Sequence, residues 1–178
     1  MLMENFLFLD KSSQVEQLSK SLGFTKNLFV NEDFVFVKSK DGKIILSESR
    51  EAKKKGKIII FQPLTEDILR FVLERKAVDI IIGVEQIHFS DSFHHVRGGL
   101  DQVLCTLAVE QGITIAFSFS EILNSSSRAQ LLARMSFNIS LCKKYKVKTL
   151  FSNFCAEKEE MRSSQDLETF WKVLQKQR

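Results

Sequence analysis

The chain of 178 residues is 44% hydrophobic and 27% charged, with a formal net charge of +4 at pH 7. This length and balance predict one globular domain covering residues 1–178 and exclude a disordered chain. No apolar run reaches the roughly 18 residues of a membrane span, and the N-terminus lacks the basic segment and cleavage site of a secretory signal. The three cysteines are widely spaced, as is typical of reduced thiols, so we expect a cytoplasmic protein with no membrane partner.

The first third of the chain predicts a strand, a helix and then a region of mixed signals. Residues 3–9 predict a short strand, and Ser13 with Glu16 has the spacing of a capping box at the start of a helix that ends at Gly23. Two apolar runs follow, and the KDGK segment before IILS has the pattern of a β-hairpin turn. The basic residues at 49–57 predict a short surface helix.

From residue 57 onward, strands and helices alternate. Buried strands are predicted at residues 57–61, 78–84, 113–119 and 147–152. Amphipathic helices are predicted after them, beginning near Thr65, Gly98, Ser125 and Ser163. The second of these helices has an inward stripe formed by Leu100, Val103, Leu104, Leu107 and Ala108. Such alternation is typical of parallel βαβ units, and the lack of a glycine-rich phosphate loop after any strand favours a TIM-like α/β barrel over a nucleotide-binding sheet.

All three histidines lie close together in the loop after the strand at 78–84. Loops after strands form the working face of a barrel, so this loop is a candidate centre for a metal-dependent phosphoesterase that uses His88, Asp91, His94 and His95. Metal sites need ligands on rigid elements, however, and the adjacent His94 and His95 would point in different directions on an extended segment. We therefore favour a polar loop hinged at Gly98–Gly99, predict no metal site and no catalytic residue, and keep the phosphoesterase as the alternative.

Five segments in a fixed order carry a resemblance to a known family. They are GGLDQVL, LAVEQGITIAFSF, RAQLLARM, KKYKVKTLFSN and AEKEEMRSSQDL. Together with the preceding strand-helix-strand unit, which contains Arg70 and Asp79, they make residues 57–170 resemble the archaeal ribonuclease P protein component 3 family. The order and spacing of all the segments carry the resemblance, since none of them is diagnostic alone.

The resemblance implies both a fold and a role. The fold is a TIM-like barrel related to the metal-phosphoesterase barrels but without their metal ligands. The role is that of a protein subunit of ribonuclease P, the endoribonuclease that removes the 5′ leader from precursor tRNA and whose RNA subunit carries the catalysis. The implied partners are the ribonuclease P RNA and a small companion protein, component 2, with precursor tRNA contacted indirectly; Mg²⁺ is the cofactor of the RNA-based holoenzyme. Relatives continue beyond the helix that begins at Asp166, which leaves open an incomplete barrel at the C-terminal end.

RNA binding by such a scaffold requires cations placed to meet phosphates. Five candidates lie at or near predicted strand-to-helix transitions: Arg70, Arg97, Arg128, Lys158 and Arg162. Arg162 is the strongest candidate, because a position of the resemblance coincides there with a loop, and arginine donates two parallel hydrogen bonds to phosphate. For each cation the alternative is a solvated charge or a structural ion pair. Gly99, Asp101 and Asp166 are expected to be structural, as a turn and as carboxylates at helix starts.

Overall fold

The computed structural model describes residues 4–91 and 96–176, in which parallel strands alternate with helices. The strands are β1 (Asn5–Leu7), β2 (Asn27–Phe29), β3 (Phe34–Val37), β4 (Ile58–Phe61), β5 (Ile80–Ile82), β6 (Thr114–Ser118) and β7 (Thr149–Ser152). The helices are α1 (Ser13–Ser21), α2 (Gly42–Lys54), α3 (Glu66–Glu74), α4 (Gln102–Gln111), α5 (Phe119–Asn124), α6 (Arg128–Tyr145) and α7 (Ser164–Lys176). Two short 3₁₀ turns occupy Val84–Gln86 and Lys158–Glu160.

The strands form a ring in chain order. Strands β3 to β7 make a five-stranded parallel sheet, and β1 with β2 makes a second parallel sheet. Parallel bridges between Val30 and Phe34 and between Leu7 and Cys155 join the two sheets at both edges. The N–H of Phe8 also donates to the carbonyl of Cys155 at 2.9 Å. The predicted TIM-like barrel is therefore confirmed, and the ring that the sequence left open is closed by seven strands within the described residues.

Alternate residues of each strand fill the inside of the ring, as the two-residue period of a strand requires. The buried interior residues are Phe6, Leu28, Phe34, Ile60, Ile80, Ile82, Ala116 and Phe154. The ring of Phe6 stacks on that of Phe154 with their centroids 5.2 Å apart. The neighbouring strand residues, such as Ile59, Phe61 and Phe117, point outward and pack against the helices. Two apolar layers therefore hold the barrel in shape.

The helices cover the outside of the ring with the apolar stripes that the sequence indicated, with one exception. Helix α3 buries Ile68, Leu69, Val72 and Leu73. In α4, Leu104 and Ala108 are buried, but Val103 is 50% exposed, so its place in the predicted stripe is wrong. The side chain of Asp101 accepts from the N–H of Leu104 and begins the helix, which directs the neighbouring Val103 to solvent. No helix among the described residues is both long and apolar enough to cross a lipid bilayer.

The hairpin predicted around KDGK is wrong, because these residues begin helix α2. The carboxylate of Asp41 accepts from the N–H of Lys43 at 2.7 Å and caps the helix N-terminus. Ile45, Ser49 and Ala52 then face the core at helical spacing. The aspartate-glycine pair is a local signal shared by turns and helix starts, and the helical period that follows it decides the outcome. The basic segment predicted as a separate short helix is the C-terminal part of the same α2.

Candidate nucleic-acid interface

Every strand of a parallel ring ends on the same side of the barrel, and the segments after the strands build that side. We call this side the loop face. Its three longest segments follow β5 (residues 83–101), β6 (119–127) and β7 (153–163). Four of the five candidate cations belong to these segments or to the helix start directly after them.

Arg162 is held in place through both its backbone and its side chain. Its N–H donates to Oδ1 of the fully buried Asn153 at 2.9 Å, and Nδ2 of Asn153 donates to Oδ1 of Asn5 in β1 at 2.9 Å. Its Nη1 donates to the carbonyls of Glu159 and Met161, at 3.0 and 2.9 Å. The guanidinium therefore orders the β7 loop, and strand β1 fixes where that loop lies.

Lys158 and Arg97 are the candidates with unengaged charges. Both are exposed, and neither side chain has a hydrogen-bond or ion-pair partner among the residues that the structure describes. The backbone N–H of Arg97 donates to Asp91, which fixes its position in the β5 loop. Lysine and arginine side chains of this kind are free to follow an anion such as a phosphate.

Arg128 and Arg70 are engaged in different ways. The guanidinium of Arg128 donates to the carbonyls of Ile122 and Leu123 at 3.1 and 2.7 Å, and so joins the start of α6 to α5. Arg70 lies one turn inside α3, where its Nε donates to Glu74 at 2.8 Å. Glu74 is one further turn from the loop face, so the ion pair draws the Arg70 guanidinium along the helix, and its role as an RNA contact stays a prediction.

The three residues expected to be structural occupy a turn and two helix starts. Gly99 has φ of 87°, and a Cβ atom there would lie 2.2 Å from the carbonyl oxygen of Val84. Asp101 is the N-cap of α4, with its Oδ1 accepting from the N–H of Leu104 at 2.8 Å. At the start of α7, the hydroxyl of Ser163 donates to Asp166 and accepts from its N–H.

The histidine loop is described in part. His88 lies with its Nε2 2.7 Å from Oε1 of Glu66 at the start of α3. His94 and His95 lie outside the described residues. Within residues 4–91 and 96–176, no three histidine, cysteine, aspartate or glutamate side chains come together as a metal site would need.

Arg134 organises the β5 loop from inside α6, and the sequence analysis missed it. The residue is 5% exposed. Its Nε donates to Asp91 at 2.8 Å, and its Nη1 donates to the carbonyls of Glu85 and His88 at 3.1 and 2.7 Å. A signal was present, because Arg134 falls at helical spacing from Leu131 inside an apolar stripe. A charged residue at such a position needs a buried partner.

Asp91 is the carboxylate that this arginine holds. Its oxygens also accept from the N–H of Arg97 at 2.9 Å and from Nε2 of Gln130 at 2.7 Å. Burial raises the pKa of Asp91, but the hydrogen bonds from Arg97, Gln130 and Arg134 outweigh it and lower the pKa to about 2. The carboxylate is therefore charged at neutral pH and ties Arg97 to helix α6.

Glu85 lies beside the hydrogen bonds of Asp91 and Arg134, but its own carboxylate differs from that of Asp91 in its partners and in the direction of its pKa shift. It is 1% exposed, and neither carboxylate oxygen has a hydrogen-bond partner among the described residues. Burial raises its pKa to about 7, Glu121 adds to the rise, and the charge of Arg134 opposes it. Glu85 and Arg134 both line a cleft of about 430 Å³ between the β5 loop and the start of α6.

Parallel strands in a closed ring, helices outside it and a loop face that carries cations define a TIM-like α/β barrel. The chain belongs to the RNase P subunit p30 family, whose model matches residues 35–176. This confirms the family resemblance found in the sequence.

A curated relative and two solved structures are similar to the chain. It is 27% identical over 142 residues to ribonuclease P protein component 3 of Methanocaldococcus jannaschii; the match covers 79% of the chain and 58% of that relative's length. A chain of the cryo-EM structure of archaeal ribonuclease P with mature tRNA is 20% identical, with a TM-score of 0.79, over 96% of this chain and 82% of that one. A crystal structure of an uncharacterized protein is 12% identical, with a TM-score of 0.50, over 86% and 47% of the two chains. These structural likenesses show the barrel fold.

Proposed function

We propose that the chain is a protein subunit of a cytoplasmic ribonuclease P and supports the catalytic RNA in removing 5′ leaders from precursor tRNA. The match of residues 35–176 to the ribonuclease P subunit family carries this proposal. Under this proposal, the holoenzyme is the endoribonuclease, its RNA works with Mg²⁺, and the isolated chain has no catalytic activity. The small component 2 protein pairs with this subunit.

The loop face supplies the physical means of RNA binding. Lys158 and Arg97 are exposed and unengaged, so they are the proposed phosphate contacts. Arg162 holds the β7 loop that carries Lys158, and Arg134 holds the β5 loop that carries Arg97, both through hydrogen bonds to backbone carbonyls. Phosphate contacts release counterions from the RNA, so binding of this kind weakens steeply as the salt concentration rises.

Reconstitution of precursor-tRNA cleavage tests the proposal. The catalytic RNA and the other protein subunits are assayed with and without the chain, across a range of Mg²⁺ concentrations. We expect the chain to raise the cleavage rate or to lower the Mg²⁺ requirement, and Arg162→Ala to diminish that effect because the β7 loop loses its internal hydrogen bonds. Cleavage that is the same with and without the chain would refute the proposal.

Charge variants on the two sides of the barrel make the test specific to the loop face. The double variant Arg97→Ala/Lys158→Ala removes two unengaged cations from it. Its matched control, Arg50→Ala/Lys148→Ala, removes two exposed cations, one from α2 and one directly before β7, on the opposite side. We expect the negative slope of log affinity for the RNA against log salt to become less steep by about 1.4 to 1.8 in the first variant, because two phosphate contacts are lost. Equal slopes in the two variants would place the RNA elsewhere.

A further inference from the structure

The side of the barrel opposite the loop face is built by the segments that lead from each helix into the next strand. On this side, the ends of α2 and α3 and the residues that follow them are strongly cationic. They contribute six cations, which we call the basic patch: Lys53, Lys54, Lys55, Lys57, Arg75 and Lys76. Because α2 leads into β4, α3 leads into β5 and these two strands pair, the two cationic segments are neighbours.

A hydrogen bond joins the two segments of the basic patch. Nζ of Lys53 donates to the carbonyl of Lys76 at 3.1 Å. An ammonium group carries three donors, so Lys53 keeps two of them for a ligand. The guanidinium of Arg75 lies over the ring of Phe71, with its Cζ 4.2 Å from the ring centroid. The patch is therefore one ordered surface, with a cation fixed on each side of the contact.

Three cations of the basic patch are unengaged. Lys54, Lys55 and Lys76 are exposed, and their side chains have no hydrogen-bond or ion-pair partner in the part of the chain that the structure describes. Exposed lysines of this kind keep the mobility and the charge with which a side chain meets a phosphate.

The carboxylates nearby do not neutralise the basic patch. Glu74 pairs with Arg70, which lies outside the patch, and Asp79 accepts from the N–H of Ile59 at 2.9 Å. Glu51 is exposed one turn before the end of α2. Six cations therefore stand against three carboxylates, two of which already have partners, and the surface stays cationic.

The backbone of Lys76 indicates a binding role for its charge. Its φ of 48° lies in the left-handed region that favours glycine at the end of a helix. Helix α4 ends in the same conformation at Gly112, with φ of 67°. A cation at a helix C-terminus also offsets the helix dipole, but Arg75 at the C-cap already supplies one. Lys76 therefore costs stability that glycine would avoid, which a ligand for its ammonium group explains.

The basic patch has no aromatic platform. Phe71 is partly buried and covered by Arg75, and none of the large apolar side chains that are exposed among the described residues belongs to the patch. Binding of single-stranded RNA relies on exposed aromatic rings, on which unpaired bases stack. Double-stranded RNA is instead bound through its shape and its phosphates, which cations alone can meet.

We propose that the basic patch binds the phosphate backbone of a double-stranded segment of RNA. This contact lies at the end of the barrel opposite the loop face, so it is additional to the proposed contacts of Arg97 and Lys158. Arg50 and Lys148 lie outside the patch. The proposal rests on the proposed function for its choice of RNA as the polyanion.

The test measures binding of the full chain to a labelled RNA duplex of about 16 base pairs by fluorescence anisotropy over a range of salt concentrations. The variant Lys54→Ala/Lys55→Ala/Lys76→Gly removes the three unengaged cations. We expect the negative slope of log affinity against log salt to become less steep by about 2 to 3. In Lys76→Gly alone the slope should become less steep by about 0.9. The melting temperature of this variant should rise by about 2 °C, because glycine relieves the left-handed backbone.

Lys146→Gly is the matched control. Lys146 is exposed and ends α6 in the same left-handed conformation, with φ of 61°. It leads into β7, and β6 separates that strand from β5. We expect the melting temperature to rise as in Lys76→Gly while the salt slope stays that of the unmodified chain. Equal changes of slope in the two glycine variants, or an unchanged slope in the triple variant, would overturn the proposal.

Two further measurements identify the partner and separate the two proposals. Polyglutamate that displaces the duplex as well as unlabelled duplex does, from the unmodified chain but not from the triple variant, would assign the patch to an acidic protein and overturn RNA as its ligand. Duplex binding through the patch by a chain without effect in reconstituted cleavage would refute the proposed function alone. Normal reconstituted cleavage, with an unchanged salt slope in the triple variant, would refute the RNA contact of the basic patch alone.

Discussion

Single residues on the inward side of α6 decide the shape of the loop face. Arg134 holds the carbonyls of the β5 loop, and one turn later the buried Asn138 donates to the carbonyl of Gly98 at 2.7 Å. Gly99, which follows Gly98 in the chain, lies so close to the carbonyl oxygen of Val84 that no side chain fits there. The described residues of the β5 loop are therefore held by contacts with one helix and by one close approach of the backbone to itself.

Substitution of Gly99 separates the cost of that close approach from the cost of its backbone conformation. Gly99 and Gly112 both have positive φ, 87° and 67°, but a Cβ atom at Gly112 would meet nothing within 4 Å. We expect Gly112→Ala to lower the free energy of unfolding by about 1 kcal/mol, from the left-handed conformation alone. Gly99→Ala adds a clash with the Val84 carbonyl, for a total of about 3 kcal/mol. Urea unfolding followed by Trp171 fluorescence measures both; equal losses would show that the loop moves freely.

The charge of Asp91 makes part of the stability dependent on pH. Its pKa of about 2 in the folded state lies below the roughly 3.9 of an unfolded aspartate. Its contribution is therefore fully present above about pH 4 and is lost as the pH falls towards 2. We expect Asp91→Asn to lower the melting temperature at pH 7 and the difference from the unmodified chain to shrink between pH 4 and 2.

Glu168→Gln is the control for that pH series. Glu168 pairs with Lys172 four residues along the exposed side of α7, where water screens the interaction. We expect a change in melting temperature much smaller than that of Asp91→Asn. If the melting temperature of Asp91→Asn stays below that of the unmodified chain by the same amount from pH 7 to pH 2, the charge of Asp91 is not the source of the effect.

At the scale of whole elements, the sequence predicts the second half of the fold better than the first. Strands β4 to β7 are short and mostly apolar, and amphipathic helices separate them, so each has a strong local pattern. Helix α2 was mistaken for a hairpin because Asp41 and Gly42 are common in both structures. Helix α5 was missed because its six residues are too short to show a helical period.

The cap of α2 can be tested directly. Replacing Asp41 by alanine removes the acceptor for the N–H of Lys43 and leaves the helix start uncapped. We expect a loss of about 1 kcal/mol in the free energy of unfolding, with no change in the cleavage supported by the chain, because the start of α2 carries none of the proposed RNA contacts. Asp10→Ala, at an exposed residue before α1, is the control and should cost less than half as much. Equal losses of unfolding free energy in the two variants would show that Asp41 does not cap the helix.

For the whole molecule, closure of the ring depends on contacts that no local pattern reveals. The hydroxyl of Ser152 in β7 accepts from the N–H of Phe6, and Asn153 donates to Asn5, across about 150 residues of chain. The sequence resemblance implied a barrel, but a buried amide such as Asn153 does not show its partner in the sequence. For the same reason the cleft of Glu85 and Arg134 could not be predicted, since their separation of 49 residues is bridged only by folding.

Asn153 connects ring closure to the loop face, so one substitution tests both. Asn153→Asp keeps an acceptor for the N–H of Arg162 but replaces the donor to Asn5 with a second buried acceptor. We expect a loss of about 3 kcal/mol in the free energy of unfolding. The β7 loop should then also lose its fixed position, and the chain its effect in reconstituted cleavage, at temperatures where the variant is still folded.

Asn31→Asp is the matched control, because Asn31 is exposed and its left-handed backbone also accepts aspartate. It is expected to change the free energy of unfolding by less than about 0.5 kcal/mol and to leave cleavage unchanged. The two measurements on Asn153→Asp separate its two roles. A destabilised variant that, while folded, supports cleavage normally would show that Asn153 closes the ring without positioning Arg162. A variant as stable as the unmodified chain would show that the bond between β1 and the β7 loop does not hold the barrel closed.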